Sequence, residues 1–452
     1  MIKTLQVERN KLLYPIHFVI GWLMHLCWEC IIPIVPLRFQ NKLRRLESSH
    51  SFYNVLGLII FNAIGGLFVM ITNVKIANVL GASMYGLYSY YLAIGEVGQN
   101  FVRYGRHKTM TRDLIQFPSK GESLISNTFI LGLLNLFFFI TIVSLFSYQL
   151  GFDIGFTPLL LFIAPCLGSI DFQPVYESIR QISWHSLYLL IQKTLFLFLI
   201  WFVVSFGKLT LSYLAITLFI SWLLIVVVQY WEIIIQNSLK ILNYISFSTI
   251  HALYKENLLI AVSCMIGVAF GPFIRLVLKN YVDTEAVGIY SAGMQIFVIG
   301  QFLIHQISRV GNPMMAEAGK LDCPKEKRVR FCKKYTMIMV VSCLPFFLPM
   351  MICPKLITSV LFSTEYVSLE RYIPYFGIYL LALSVGVVFT QFLLSIRKDK
   401  TYFIIYTVTS LATVVLAFLL IPDMGLLGAV ITLCIPHSIG CISYFLFSLK
   451  YL

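Results

Sequence analysis

Residues 84–100 read MYGLYSYYLAIGEVGQN, and residues 286–302 read AVGIYSAGMQIFVIGQF. The frame Gly-x-Tyr-Ser-x4-Ile-x3-Gly-Gln thus occurs twice, at positions that differ by 202. The aligned pairs are Asn78/Asn280, Gly86/Gly288, Tyr88/Tyr290, Ser89/Ser291, Ile94/Ile296, Gly98/Gly300 and Gln99/Gln301. A duplicated frame carries meaning only if both copies occupy the same place in equivalent halves, so the surrounding chain decides what it signifies.

That chain is apolar. Of its 452 residues, 59% are hydrophobic and only 12% are charged, too few charges to cover a soluble protein of this length. Apolar runs of about 20 residues recur between short polar gaps, the length that crosses a hydrocarbon core. The period-2 alternation of an outer-membrane barrel is absent. Twelve crossings are predicted, near 53–80, 86–104, 123–149, 157–178, 184–206, 209–231, 257–279, 288–310, 335–356, 368–394, 402–421 and 425–447. Both copies of the frame then open the second crossing of a six-crossing block. Six is even, so the two blocks enter the membrane in the same direction. The predicted fold is an all-α polytopic membrane protein, with about 12 transmembrane helices in two six-helix lobes related by a parallel internal repeat. Residues 1–50 are read as an N-terminal extension, 51–245 as the first lobe with its linker, and 246–452 as the second lobe.

The net charge of +14 is distributed by side. With both termini and the even-numbered gaps on one side, that side holds 27 of the 34 Lys and Arg, the other side six, and Lys193 lies inside a span. Such a bias places the basic side in the cytoplasm. It also excludes a nucleic-acid partner, because the cations are spread over short loops and form no single patch. The segment 12–37 is long enough to cross, but basic residues flank it and it contains Pro15, Pro33 and Pro36. It reads as an interfacial or hairpin segment. The segment 232–255 is expected along the cytoplasmic surface as the link between lobes. The ten cysteines are scattered, mostly within apolar runs, and Cys27/Cys30 reads as one helix face, so no disulfide framework or metal site is expected.

Each residue of the frame has a mechanical reading. The upper glycine allows a tight turn, Tyr suits the membrane interface, Ser can cap a helix, and the lower glycine permits close helix contact.

At this point the sequence resembles a known group. LGASMYGLYSYYLAI (80–94), TEAVGIYSAGMQI (284–296), LFSTEYVSLERYIPYFGIYLL (361–381) and IPDMGLLGAVITLCI (421–435) are similar to signatures of Wzx-type polysaccharide flippases, which serve O-antigen or capsule repeat units. These belong to the multidrug/oligosaccharidyl-lipid/polysaccharide exporter superfamily. The resemblance covers residues from about 52 to the C-terminus. It implies transport of an undecaprenyl-diphosphate-linked oligosaccharide from the cytoplasmic to the periplasmic leaflet of a bacterial inner membrane. The expected partners are that substrate, membrane lipids, a polysaccharide polymerase and glycosyltransferases, and the chain is expected as a monomer without a bound cofactor.

Charged residues inside spans cost about 2.5–3.5 kcal/mol each on insertion scales and mark functional sites by default. Span 1 carries Lys75, and span 7 carries Arg275 and Lys279, four apart on one helix face. These three cations, with Gln99 and Gln301, are the candidate substrate-binding residues. Arg grips phosphate oxygens in a bidentate way and Lys acts as a point charge. Glu96, Arg103 and His305 are candidates for charge balance or for a coupling proton or sodium ion. Glu177 and Arg180 are expected to pair at the cytoplasmic end of span 4. An enzyme is not expected: the alternative of an integral-membrane sugar-lipid transferase would need a DxD-like pair or a catalytic loop, which are missing, and no Walker A sequence signals direct ATP coupling. A drug/cation antiporter of the same superfamily is the rival reading, and the basic lean of the in-span charges argues against it.

Overall fold

The computed structural model describes residues 50–147, 155–179, 182–207, 209–232, 244–319, 324–396 and 398–452. The segment 12–37 and Arg180 lie outside them, and so do the expectations attached to each. Among the described residues there is helix and no strand.

Among the described residues, eight helices are long and apolar enough to cross a membrane. Two of them are double. His50–Arg103 turns back at Gly81 (φ 75°, ψ 171°), which separates span 1 from span 2. Asp399–Leu449 turns at Gly425 (φ 57°, ψ −129°), which separates span 11 from span 12. Both φ values fall where a Cβ is disfavoured, so glycine is what lets each helix reverse without a loop. The single crossings are Gly121–Phe146 (span 3), Ile182–Ser205 (span 5), Leu211–Tyr230 (span 6), Thr284–Ala318 (span 8), Lys325–Ile352 (span 9) and Ile373–Ser395 (span 10). Two further crossings are made of pieces. Phe156–Leu167 and Gln173–Ser178 form span 4, interrupted after Pro165. Phe247–Ile266, Gly267–Phe270 and Pro272–Tyr281 form span 7, interrupted at Gly271 and Pro272. The described residues thus form twelve transmembrane helices in two lobes, as the apolar runs predict.

Several boundaries differ from expectation. The helix that opens span 7 begins at Phe247, ten residues before the expected start of the crossing, and residues 233–243 lie outside the described residues. Its foot docks on the first lobe: Thr109 Oγ1 donates to Asn257 Oδ1 at 2.8 Å, and Tyr254 donates to Asn135. Spans 8 and 9 extend to Ala318 and down to Lys325, so the expected 311–334 loop is largely helix. Polar residues there continue the helices beyond the apolar band, which a hydropathy count cannot see.

The duplicated frame does different work from that predicted. Gly86 and Gly288 do not sit in turns. They face each other across the lobes, where a Cβ on Gly86 would overlap the Thr284 carbonyl and one on Gly288 the Ala82 carbonyl. Tyr88 and Tyr290 are buried, 3% and 1% exposed, and so are not interface anchors. Ser89 and Ser291 are buried within their helices and cap neither. The lower glycines behave as expected: a Cβ on Gly98 would strike the Phe139 ring of span 3, and one on Gly300 the Leu380 side chain of span 10. Gly98→Ala should therefore lower stability by about 1–3 kcal/mol. Thermal unfolding in detergent checks this, and an unchanged midpoint would contradict close packing of spans 2 and 3.

Candidate inter-lobe site

The lobes meet in a column at the end that carries the Gly81 turn. Ser83 and Thr284 share a hydroxyl hydrogen bond of 3.0 Å, and Gly86 packs on Gly288 below them. Arg275 of span 7 comes next, donating to the Ser89 carbonyl at 3.3 Å and pairing with the Glu96 carboxylate of span 2. Lower still, Asn73 Nδ2 of span 1 donates to Gln295 Oε1 of span 8 at 3.0 Å.

Under this column lies a cavity of about 410 Å³. Asn62, Gly66 and Met70 of span 1, Lys193 of span 5, Phe302 of span 8 and Phe346 of span 9 are among its lining residues. Both lobes thus contribute walls, and the lining is apolar except for Asn62, Gln295 and Lys193. The lysine rises from the middle of span 5, and its stem lies on Gly65, where a Cβ would come within 2.9 Å of Lys193 Cδ. No Asp or Glu is among the described residues that line the cavity. Among the described residues, no carboxylate pairs with Lys193. A half-buried ammonium in a mostly apolar wall costs free energy that an anionic ligand would recover.

The predicted site residues fall in separate places. Arg275 and Glu96 are joined, and this ion pair ties the lobes together. Lys75 stands over the Trp201 ring of span 5 at 5.7 Å, and Lys279 over the Tyr90 ring at 5.1 Å. Both cations spend their charge on aromatic faces. Gln99 and Gln301 are half-buried on spans 2 and 8. Arg103 is far from this column: it lies 3.8 Å from Asp171 and 3.4 Å from the Gly168 carbonyl, at the break of span 4. Asp171 also faces His185 at 3.5 Å, and the neighbouring Arg106, 2% exposed, pairs with Asp113 at 2.8 Å. Glu177 accepts from Thr111 and Gln173, each at 2.7 Å. His305 is exposed on span 8, seven residues beyond Val298 and three beyond Phe302, which places it on the cavity stripe of that helix.

Sequence reasoning missed Lys193 and Gln295 as site residues. Lys193 carried a signal, since it lies deep within a span instead of near an end. Gln295 carried none, because its counterpart in the repeat is Ala93.

No family model matches the chain. It is 24% identical over 316 residues to a capsular polysaccharide biosynthesis protein, CapF, of Staphylococcus aureus, an alignment covering 68% of this chain and 77% of the relative. Its fold is similar to that of the lipid II flippase MurJ in an inward closed conformation, with a TM-score of 0.68 and 14% identity over 87% of each chain. It is also similar to a mutant of the Vibrio cholerae MATE transporter VcmN, with a TM-score of 0.57 and 14% identity over 88% of this chain and 96% of the other.

Proposed function

We propose that this chain is a flippase that moves an undecaprenyl-diphosphate-linked oligosaccharide across the inner membrane, for the synthesis of a surface polysaccharide. The observation that carries the reading is Lys193, an ammonium in the cavity between the lobes that pairs with no carboxylate among the described residues. A polyprenyl diphosphate suits such a space: its headgroup is anionic, and its tail is compatible with the apolar walls of spans 1 and 8. The similarity to a capsule-biosynthesis protein and to a lipid II flippase supports the same class of cargo. The basic end is assigned to the cytoplasm by its excess of Lys and Arg. The column from Gly81 to Gln295 then closes the cavity toward the periplasm.

In this reading the lobes rock about the cavity, and Arg275 serves as a second phosphate contact once the cargo displaces Glu96. The chain breaks no covalent bond. A drug/cation antiporter would need acidic groups in the cavity to bind its ions, and none of the described residues that line it is acidic.

Deletion in the native host tests the proposal. The expected result is loss of surface polysaccharide with accumulation of its lipid-linked repeat unit. Drug sensitivity with normal polysaccharide would favour the antiporter instead. Lys193→Met should slow export about ten-fold or more, the worth of one charge-assisted hydrogen bond, at unchanged protein level. Full export by that variant would remove Lys193 from the site.

A further inference from the structure

Between spans 9 and 10 the chain makes a short helix, Pro354–Leu361, and a 3-10 helix, Thr364–Arg371, at the Gly81 end of the molecule. The connection between them is a strap that crosses to the other lobe. Asn78, the first residue of the aligned pairs, uses both ends of its amide on this strap: Nδ2 donates to the Leu361 carbonyl at 2.9 Å, and Oδ1 accepts from the Ser363 amide at 2.8 Å. Glu365 Oε2 accepts from the Ala82 amide at 2.7 Å. Tyr366, with no exposed surface, donates to the Ala77 carbonyl at 3.2 Å. All four bonds join the second lobe to the turn between spans 1 and 2.

The chemistry of this contact is specific. Ala82 is the first residue after the Gly81 reversal, so its amide has no partner within its own helix. A carboxylate there both satisfies that donor and complements the positive end of span 2. The fit requires glycine at the turn, because a Cβ on Gly81 would come within 2.6 Å of Glu365 Oε2. Asn78 meets the strap through backbone groups alone, its amide supplying a donor on one atom and an acceptor on another. Phe362, 6% exposed, anchors the strap from below and lies 5.2 Å from the Tyr366 ring.

We propose that this strap is the latch of the closed end. Asn78 and Glu365 hold the turn between spans 1 and 2 against the second lobe, and the lobes part at this end only after both contacts release. Gly86 and Gly288 supply the close fit below, while the strap supplies the hydrogen bonds that must be exchanged for water when the gate opens. The proposal rests on alternating access as read above, but it needs no particular cargo.

The test follows accessibility instead of transport. A reporter is placed on the cavity wall by Val298→Cys, in the full-length chain carrying Cys353→Ser to remove an exposed thiol. Membrane vesicles of either orientation are treated with a membrane-impermeant maleimide. From the latch side, Glu365→Ala and Asn78→Ala should each raise the labelling rate about five- to ten-fold, the worth of one lost cap or paired amide. In Asn78→Cys/Ser363→Cys protein, with label scored only on the peptide that carries position 298, oxidation should abolish labelling from that side and reduction should restore it. That comparison uses one protein in two redox states, so a folding defect cancels. Rates within two-fold of the parent in both alanine variants, or equal labelling of the oxidised and reduced pair, would overturn the latch. Because no glycolipid enters the assay, a latch failure leaves the cargo reading standing, and the converse also holds.

Discussion

Gly288→Val protein should be made and inserted normally, yet its lobes should fail to close at the Gly81 end. A Cβ at this position overlaps the Ala82 carbonyl, a backbone atom at the start of span 2 that cannot rotate away as a side chain would. The strain is relieved by separating the lobes, since the nearest atoms to an added Cβ at either glycine all belong to the opposite lobe. Overpacking costs about 1–3 kcal/mol and sometimes more. Here that cost falls on one conformational equilibrium, so the closed state should lose about 10- to 100-fold in population. The Val298→Cys reporter should then label from the latch side far faster than in the parent, and Gly86→Val should behave alike because its Cβ meets the Thr284 carbonyl. Gly98→Ala offers the contrast, lowering the unfolding midpoint without changing accessibility. Low abundance of Gly288→Val with parent-like labelling would return both glycines to a role inside their lobes.

Arg275→Ala should reduce export about 100-fold, a larger loss than at Lys193. The guanidinium has two duties. In this structure it neutralises Glu96 and donates to the Ser89 carbonyl, so its removal leaves a carboxylate unpaired in the membrane and frees one inter-lobe strut. In the proposed cycle it also receives a phosphate oxygen. The two duties separate in a charge swap. Arg275→Glu with Glu96→Arg should recover most of the stability lost in either single variant, giving a coupling of about 1–3 kcal/mol in a double-mutant cycle. Export should stay low, because the cation then stands on a different helix. Thermal unfolding reads the first quantity and accumulation of lipid-linked repeat unit reads the second. A swap that restores export as well as stability would make the pair a strut alone.

Much of this architecture is legible before any coordinates. Gly81 and Gly425 appear in the sequence only as glycines between apolar runs, yet the predicted ends near 80 and 421–425 fall at both reversals. Spans 4 and 7 read as crossings, and in each the second piece opens with a proline in its first turn, Pro174 and Pro272, where no amide hydrogen is needed. Prediction fails where polar residues extend a helix past the apolar band, as at Phe247, Ala318 and Lys325. It fails more seriously over the direction of side chains. Lys75, Arg275 and Lys279 appear as a cluster because spans 1 and 7 are equivalent in the repeat. In space, one faces Trp201, one Glu96 and one Tyr90. Lys193 was counted but not assigned, although its depth in span 5 was the clearer signal.

The sequence by itself determined that the chain spans a membrane about twelve times and folds as two like-oriented halves. Hydrophobic length, charge bias and a repeated frame are properties along one dimension, and each is strong enough to survive ignorance of packing. Only the tertiary structure decided which residues meet between the halves. Gly86 with Gly288, Arg275 with Glu96, and Asn78 with the 361–363 strap are separated by about 180 to 285 positions in the chain. Such pairs are set by the angle and register at which whole lobes dock, and no local preference of either partner encodes them.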